Sequence, residues 1–133
     1  MPLFTYNDPT LEEAAVRRFA PGVIRVWSRA AGGRTVLFVA GEVDLASVGV
    51  LRSEIAAALE SDAGELWIDL CKTEFIDSSG LHLLVETARE SERLHRRLAI
   101  VCPPGPIRRV IDIAGLADML PLHGDAASAE RCA

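Results

Sequence analysis

Beyond Gly41, segments with a helical spacing of apolar residues alternate with short apolar runs. Apolar side chains three or four positions apart predict a first helix, and they are Val48, Leu51, Ile55 and Leu59. Ser47 precedes them as a candidate N-cap, while Gly49 weakens the helix slightly. Residues 66–70 form a short, almost wholly apolar run, which is typical of a strand buried on both faces.

The same alternation continues through the second half of the chain. It predicts a helix from Ser79 to about Glu92, a strand over 98–101, a helix that ends at Gly115 and a short apolar segment over 119–122. The apolar positions of these two helices are Leu81, Leu84, Val85, Ala88, Ile107, Val110, Ile111 and Ala114. Strands separated by helices favour parallel pairing, so the pattern predicts an α/β fold with helices packed on a mixed, mostly parallel β-sheet.

Before Gly41 the pattern indicates a hairpin. Two strands are predicted at Val23–Ala30 and Thr35–Ala40, and the Gly32-Gly33 pair between them favours a tight turn. Thr10 to Phe19 has capping-box spacing and a modest apolar stripe, which predict a short N-terminal helix.

These segments suggest one domain with two appendages. We expect residues 1–22 to form an N-terminal extension that contains the short helix, residues 23–124 to form a single domain, and the small, polar residues 125–133 to form a flexible tail. The extension could cover the sheet or mediate self-association, and packing on its own domain is the simpler expectation.

Composition and charge exclude some classes of function. A chain of 133 residues that is 50% hydrophobic can bury the core of one domain. Its net charge of −5 argues against binding to nucleic acid, which depends on neutralising phosphates with Lys and Arg. Arg93, Arg96 and Arg97 are interpreted as the solvated end of a helix. Because no apolar run approaches the length needed to cross a bilayer, we expect a cytoplasmic protein without a membrane partner.

The cysteines do not suggest a metal site. Cys71, Cys102 and Cys132 are widely spaced, and reduced thiols are the expected state in a cytoplasmic protein. Neither a metal nor another cofactor is expected. Redox control remains a minor alternative, because Cys71 and Cys102 follow successive predicted strands and could lie close together if those strands are parallel neighbours.

The segment Asp77–Leu81, with the sequence Asp-Ser-Ser-Gly-Leu, places two hydroxyl groups where an apolar extended segment meets an amphipathic helix. Free backbone N–H groups and the helix dipole would stabilise a phosphate there, although Asp77 would oppose its charge. Asp or Ser before an apolar periodic run is also the ordinary N-cap signal. Phosphorylation and capping therefore both remain possible from these residues alone.

The order of elements and three motifs resemble the STAS domain, specifically the bacterial anti-sigma factor antagonists. Gly41–Asp44 resembles the family's Gly-Glu-x-Asp segment, and Phe75–Leu81, after the strand at 66–70, resembles its phosphorylation loop. Ile113–Leu116, followed by Met119–Pro121, is similar to the family's last helix end and final strand. The resemblance covers about residues 23–123.

The resemblance implies a partner-switching regulator rather than an enzyme. Ser79 would accept phosphate from a serine kinase that is also the anti-sigma factor, with Ser78 as its neighbour and cap, and with Asp44, Asp77, Ser78 and Gly80 in the phosphorylation loop and partner-binding surface. The unmodified protein would bind the anti-sigma factor and release a sigma factor for transcription, and a phosphatase would reverse the modification. Asp44 could equally be a turn or cap residue before the first helix.

Two other functions compete with this interpretation. A serine hydrolase is disfavoured, because Ser79 lacks the Gly-x-Ser-x-Gly elbow and no base is placed beside it; His82 is expected to be an exposed polar residue, and His95 and His123 lie elsewhere. A STAS module that senses a ligand or serves as a scaffold would keep the fold without the switch.

Overall fold

The computed structural model describes residues 16–20, 24–61 and 64–131 of the chain. Its strands are β1 (Val16–Ala20), β2 (Ile24–Ala31), β3 (Arg34–Val43), β4 (Glu65–Ile76), β5 (Arg97–Val101) and β6 (Leu122–His123). Its helices are α1 (Val48–Glu60), α2 (Ser78–Arg93), α3 (Pro106–Ile113) and α4 (Ala126–Arg131).

The strands form one six-stranded sheet in the order of the sequence, β1-β2-β3-β4-β5-β6. The first two pairings are antiparallel and the other three are parallel, which confirms the predicted mixed, mostly parallel α/β fold. Gly32 and Gly33 form the predicted hairpin turn with φ of 62° and 75°, a left-handed conformation that glycine adopts without a Cβ penalty.

The larger core lies on the sheet face that α1, α2 and α3 cover. It combines strand residues such as Val39, Ile68 and Ile100 with the predicted apolar stripes of the helices. The α3 stripe is only half buried, because Ile107 and Ile111 enter the core whereas Val110 lies at its exposed margin. Helical spacing identified the face, but the short helix buries only the side chains nearest the sheet.

The opposite face carries a smaller cluster that contains Trp27, Phe38 and Trp67, and helix α4 packs against it through Ala126 and Ala129. The prediction of a flexible tail is therefore wrong for residues 126–131. Ala129 is fully buried and its carbonyl oxygen accepts a hydrogen bond of 2.8 Å from Arg97. A small side chain suits this close approach, so the small residues here indicated packing rather than fraying.

The predicted N-terminal helix, Thr10–Phe19, lies partly outside the described residues. Where the structure describes it, from Val16 to Phe19, the prediction is wrong, because these residues belong to β1 and pair antiparallel with β2. The sheet thus starts before residue 23, where the predicted domain began. Backbone pairing with β2 outweighs the weak local helical pattern.

Arg93 is exposed in the last turn of α2, as predicted for a solvated helix end. Arg96 and Arg97 instead connect separate elements, so the interpretation needs correction for these two residues. Arg96 donates to the carbonyl oxygens of Leu59, Ser61 and Gly64, at and just beyond the end of α1. Arg97 forms an ion pair with Glu65. Arg96 thereby satisfies carbonyl groups that the end of α1 leaves without helical partners. Both Arg96 and Arg97 are partly buried.

Candidate functional site

Strands β3 and β4 end side by side, and this brings the loops that follow them together. Val43 pairs with Ile76 in the parallel register, and the N–H of Asp77 donates to the Val43 carbonyl oxygen at 3.1 Å. The β3–α1 loop, 44–47, and the start of α2 therefore meet at the carboxyl edge of the sheet. Ligand and partner sites of parallel sheets commonly lie at this edge.

Asp77 caps helix α2. Its backbone is extended, and its Oδ1 accepts hydrogen bonds from the N–H groups of Ser79 at 2.9 Å and Gly80 at 3.2 Å. The expectation that Ser78 is the cap is wrong, because the helix already begins at Ser78, whose side chain is exposed. An aspartate one position earlier has the extended conformation that an N-cap requires.

Ser79 lies on the first turn of α2 with its hydroxyl directed back at the cap. Its Oγ donates to Asp77 Oδ1 at 2.5 Å, and the residue keeps part of its surface open to solvent. The hydrogen bond from this hydroxyl, aided by the N–H groups of Gly80, Ser79 and Leu45, lowers the pKa of Asp77. Asp77 is therefore ionised at neutral pH, and it orients the hydroxyl rather than removing its proton.

Gly80 is needed for the close packing of α2 on the strand ends. A Cβ at this position would lie 2.5 Å from Ile76 Cγ1 and 2.9 Å from Val43 Cγ1. Both neighbouring side chains are buried and have little room to move. The glycine of the motif thus sets the position of the two serines through packing.

The β3–α1 loop is held by its own polar side chains. Asp44 Oδ1 accepts from the N–H groups of Ala46 and Ser47, both at 3.0 Å, so the turn role that the sequence left open for Asp44 is present. Ser47 occupies the N-cap position of α1 but caps no helix N–H group. Its buried Oγ instead donates to the Glu42 carbonyl oxygen at 2.7 Å and accepts from the Asp44 N–H at 3.0 Å.

Leu45 is a site residue that the sequence analysis missed. Its N–H donates to Asp77 Oδ2 at 3.2 Å, and its side chain is 80% exposed. Asp77 thus bonds to its own helix with one oxygen and to the neighbouring loop with the other. An apolar residue between Asp44 and Ala46 in a predicted turn was the only signal in the sequence.

The histidines give no support to hydrolysis. The structure shows Asp77, not a histidine, as the partner of the Ser79 hydroxyl. His82 is exposed, as predicted, and its Nε2 lies 2.8 Å from Glu86 Oε1. His95 ends α2 in a left-handed conformation, and His123 Nδ1 lies 3.4 Å from Ser128 Oγ at the other sheet face.

Cys71 and Cys102 are both free thiols. Desolvation, with a smaller effect from the Asp69 carboxylate, raises the pKa of Cys71 to about 12 although the residue is exposed, and burial raises the pKa of Cys102 to about 11. Thiols with such pKa values stay protonated at neutral pH and react slowly, which weakens the redox alternative. Cys132 lies outside the described residues.

The part of the chain that the structure describes contains neither a cluster of metal ligands nor a membrane-spanning helix. Across 16–20, 24–61 and 64–131, no group of three or more His, Cys, Asp or Glu side chains could hold a metal ion. None of the helices in these same ranges is long and apolar enough to cross a bilayer.

The fold and the site define a class: a small α/β regulatory domain that presents a hydroxyl at a capped helix start. The chain belongs to the STAS domain family, whose model matches residues 27–129. It is 32% identical over 99 residues to the anti-sigma-F factor antagonist RsfB of Mycobacterium tuberculosis, a match that spans 73% of this chain and 79% of that protein. It is 28% identical over 82 residues to an anti-sigma-B factor antagonist of Staphylococcus epidermidis, over 62% and 76% of the two chains.

Solved structures agree with this assignment. An anti-sigma factor antagonist from Mycobacterium paratuberculosis superposes with a TM-score of 0.76 at 29% identity, over 85% of this chain and 96% of that one. The phosphorylated form of Bacillus SpoIIAA shares the fold with a TM-score of 0.60 at 22% identity, over 81% of this chain and 99% of that one. The chain is therefore an anti-sigma factor antagonist by family, and its named relatives are regulators rather than enzymes.

Proposed function

We propose that this protein binds an anti-sigma factor with serine kinase activity while Ser79 is unmodified, and that phosphorylation of Ser79 ends the binding. Binding releases a sigma factor for transcription in the cytoplasm, and a phosphatase resets the switch. The observation that carries the proposal is the position of the Ser79 hydroxyl, which is partly open to solvent at the capped start of α2.

The proposed modification needs little from this chain beyond the hydroxyl. Ser79 Oγ attacks the γ-phosphorus of ATP held by the kinase, the bond from that phosphorus to the bridging oxygen of ADP breaks, and the hydroxyl proton passes to a base of the kinase. Asp77 is too acidic to take that proton, because hydrogen bonds lower its pKa. Its role in the acceptor is to hold Ser79 Oγ in one orientation.

The added charge explains how one group can end binding. A phosphate carries about −1.5 to −2 charges at neutral pH, and it would stand beside the ionised Asp77. A partner that covers this surface would have to bury both charges. A buried charge without a partner costs several kcal/mol, and each ~1.4 kcal/mol is a tenfold loss of affinity, so refolding of the domain is not required.

The direct test is incubation of the full chain with each recombinant anti-sigma factor kinase of its source bacterium and labelled ATP. We expect one kinase to transfer one phosphate per chain. Label should disappear in Ser79→Ala and persist in Ser78→Ala, which is the matched control because Ser78 is the adjacent, exposed hydroxyl.

Binding to that kinase in the presence of ADP completes the test. The unmodified chain and Ser79→Ala should bind, whereas the phosphorylated chain should bind at least about 100-fold more weakly. Absence of labelling by every kinase, or label that stays in Ser79→Ala, contradicts the proposal. Unlabelled protein that retains a tightly bound small molecule would instead support a ligand-sensing STAS module.

A further inference from the structure

Leu45 stands out among the exposed apolar residues because its N–H bonds to the carboxylate that also receives the Ser79 hydroxyl. A single exposed leucine is common on protein surfaces and carries no meaning by itself. Here, however, the side chains of Asp44 and Ser47 bond the loop backbone internally, and Asp77 holds the Leu45 N–H. An apolar side chain on a loop whose backbone is already ordered loses little entropy when a partner covers it.

The two oxygens of Asp77 connect Leu45 to Ser79. Oδ1 receives the Ser79 hydroxyl and the N–H groups of Ser79 and Gly80, while Oδ2 receives the Leu45 N–H. A carboxylate is one planar group, so its two oxygens cannot move independently. Any rearrangement at Ser79 that turns or withdraws the carboxylate also removes the acceptor of the Leu45 N–H.

Phosphorylation would favour such a rearrangement. The ester oxygen of phosphoserine has no proton to donate, and two acceptor oxygens cannot remain at the 2.5 Å that now separates Ser79 Oγ from Asp77 Oδ1. The attached dianion also competes for the N–H groups at the helix start, which Asp77 occupies. Among the hydrogen bonds that Asp77 accepts, the bond from the Leu45 N–H comes from the neighbouring loop rather than from the first turn of α2.

We propose that Leu45 is an anchor residue for the anti-sigma factor, inserted into an apolar pocket of that partner, and that Asp77 holds Leu45 in place only while Ser79 is unmodified. This inference rests on the proposed function and deepens it. It adds a second effect of the phosphate to charge repulsion, namely loss of the ordered Leu45 loop.

The first test measures binding to the kinase that labels Ser79, with ADP present and the full chain. Ile113→Ala is the matched control for Leu45→Ala, because Ile113 is 79% exposed and Leu45 is 80% exposed. Ile113 ends α3, which runs back from the carboxyl edge as the crossover between parallel β5 and β6. We expect Leu45→Ala to weaken binding by about 10- to 100-fold and Ile113→Ala by less than about twofold.

The second test measures amide hydrogen exchange of the isotope-labelled chain before and after phosphorylation. The Leu45 amide should lose protection by about tenfold or more, whereas the Val48 amide, which bonds to the Asp44 carbonyl oxygen at 2.8 Å, should change little.

The outcomes separate this inference from the proposed function. If the unmodified chain binds and the phosphorylated chain does not, but Leu45→Ala binds like Ile113→Ala, the anchor is refuted and the switch stands. Unchanged protection of the Leu45 amide after phosphorylation likewise refutes the coupling, since Ser79 would then have rotated away alone. If the unmodified chain does not bind at all, the proposed function and this inference fail together.

Discussion

Helices α1 and α2 both start at the carboxyl edge of the sheet, but their first turns are built differently. At α2, Asp77 caps the free N–H groups and Gly80 packs against the strands. At α1, Ser47 makes no cap bond and its hydroxyl stabilises the preceding loop, while Gly49 faces open space. The same residue classes, a polar residue and a glycine, therefore serve different purposes at two neighbouring helix starts.

The two helix starts therefore play different parts in the site. One fixes the position of Ser79, and the other exposes the apolar side chain of Leu45. The α2 start is tightly packed, so the backbone of Ser79 has little freedom, whereas the α1 start leaves Leu45 exposed on an ordered loop. Asp77 connects the two through the Leu45 N–H. Variants at matched positions of the two helices can test whether this contrast is real.

The largest expected effect comes from the two glycines. Gly80→Ala should reduce the free energy of unfolding by about 1–3 kcal/mol, because its Cβ would be forced into buried Ile76 and Val43. Gly49→Ala should have the opposite sign and stabilise the chain by up to ~1 kcal/mol, since no heavy atom beyond the neighbouring residues and the backbone of its own helix lies within 4 Å of the added Cβ, and alanine favours a helix. Urea unfolding of both variants measures the two changes in the free energy of unfolding. Equal changes would contradict the proposed difference in packing between the two helix starts.

A smaller loss of stability is expected when the N-cap residue Asp77 is replaced. Asp77→Ala should cost about 1–2 kcal/mol in unfolding free energy, because the N–H groups of Ser79, Gly80 and Leu45 lose their acceptor. Asp77→Asn is the matched control, since asparagine caps helices nearly as well and should cost well under ~1 kcal/mol.

The amides that lose protection from hydrogen exchange should also differ between the two helix starts. Ser47→Ala should expose the Asp44 amide in the loop to hydrogen exchange, whereas Asp77→Ala should expose the Ser79 and Gly80 amides in the helix. Loss of helix protection in Ser47→Ala would show that Ser47 is a cap after all.

The smallest effect is the pH dependence of Asp77. Its folded pKa lies below the ordinary value of 3.8, so its ionised form stabilises the fold above that value, and the contribution disappears as pH falls through the folded pKa. The advantage of the native chain over Asp77→Asn should therefore be constant from about pH 7 to 5 and shrink below about pH 4. Urea midpoints of the two proteins across this range measure it, and a constant advantage down to about pH 2.5 would contradict the assignment.

Much of the fold could be predicted because local patterns report local interactions. The apolar spacing of Leu51, Ile55, Leu81 and Leu84 identified which side of α1 and which side of α2 is buried, since a helix buries one stripe whatever it packs on. Predictions failed where a local signal was weak and a distant partner decided the outcome. Val16–Phe19 became a strand through pairing with β2, and 126–131 became a helix through packing beside Trp67.

The sequence by itself determined the alternation of strands and helices, the family, and the hydroxyl groups at the start of α2. Only the tertiary structure decided that Asp77 rather than Ser78 is the cap, that Gly80 has no room for a side chain, and that Leu45 shares a carboxylate with Ser79. Leu45 and Asp77 are 32 positions apart, and their contact depends on the register of β3 against β4. Because β3 and β4 are parallel, no hairpin turn fixes their register, and it depends on how the buried faces of the two strands pack in the folded sheet.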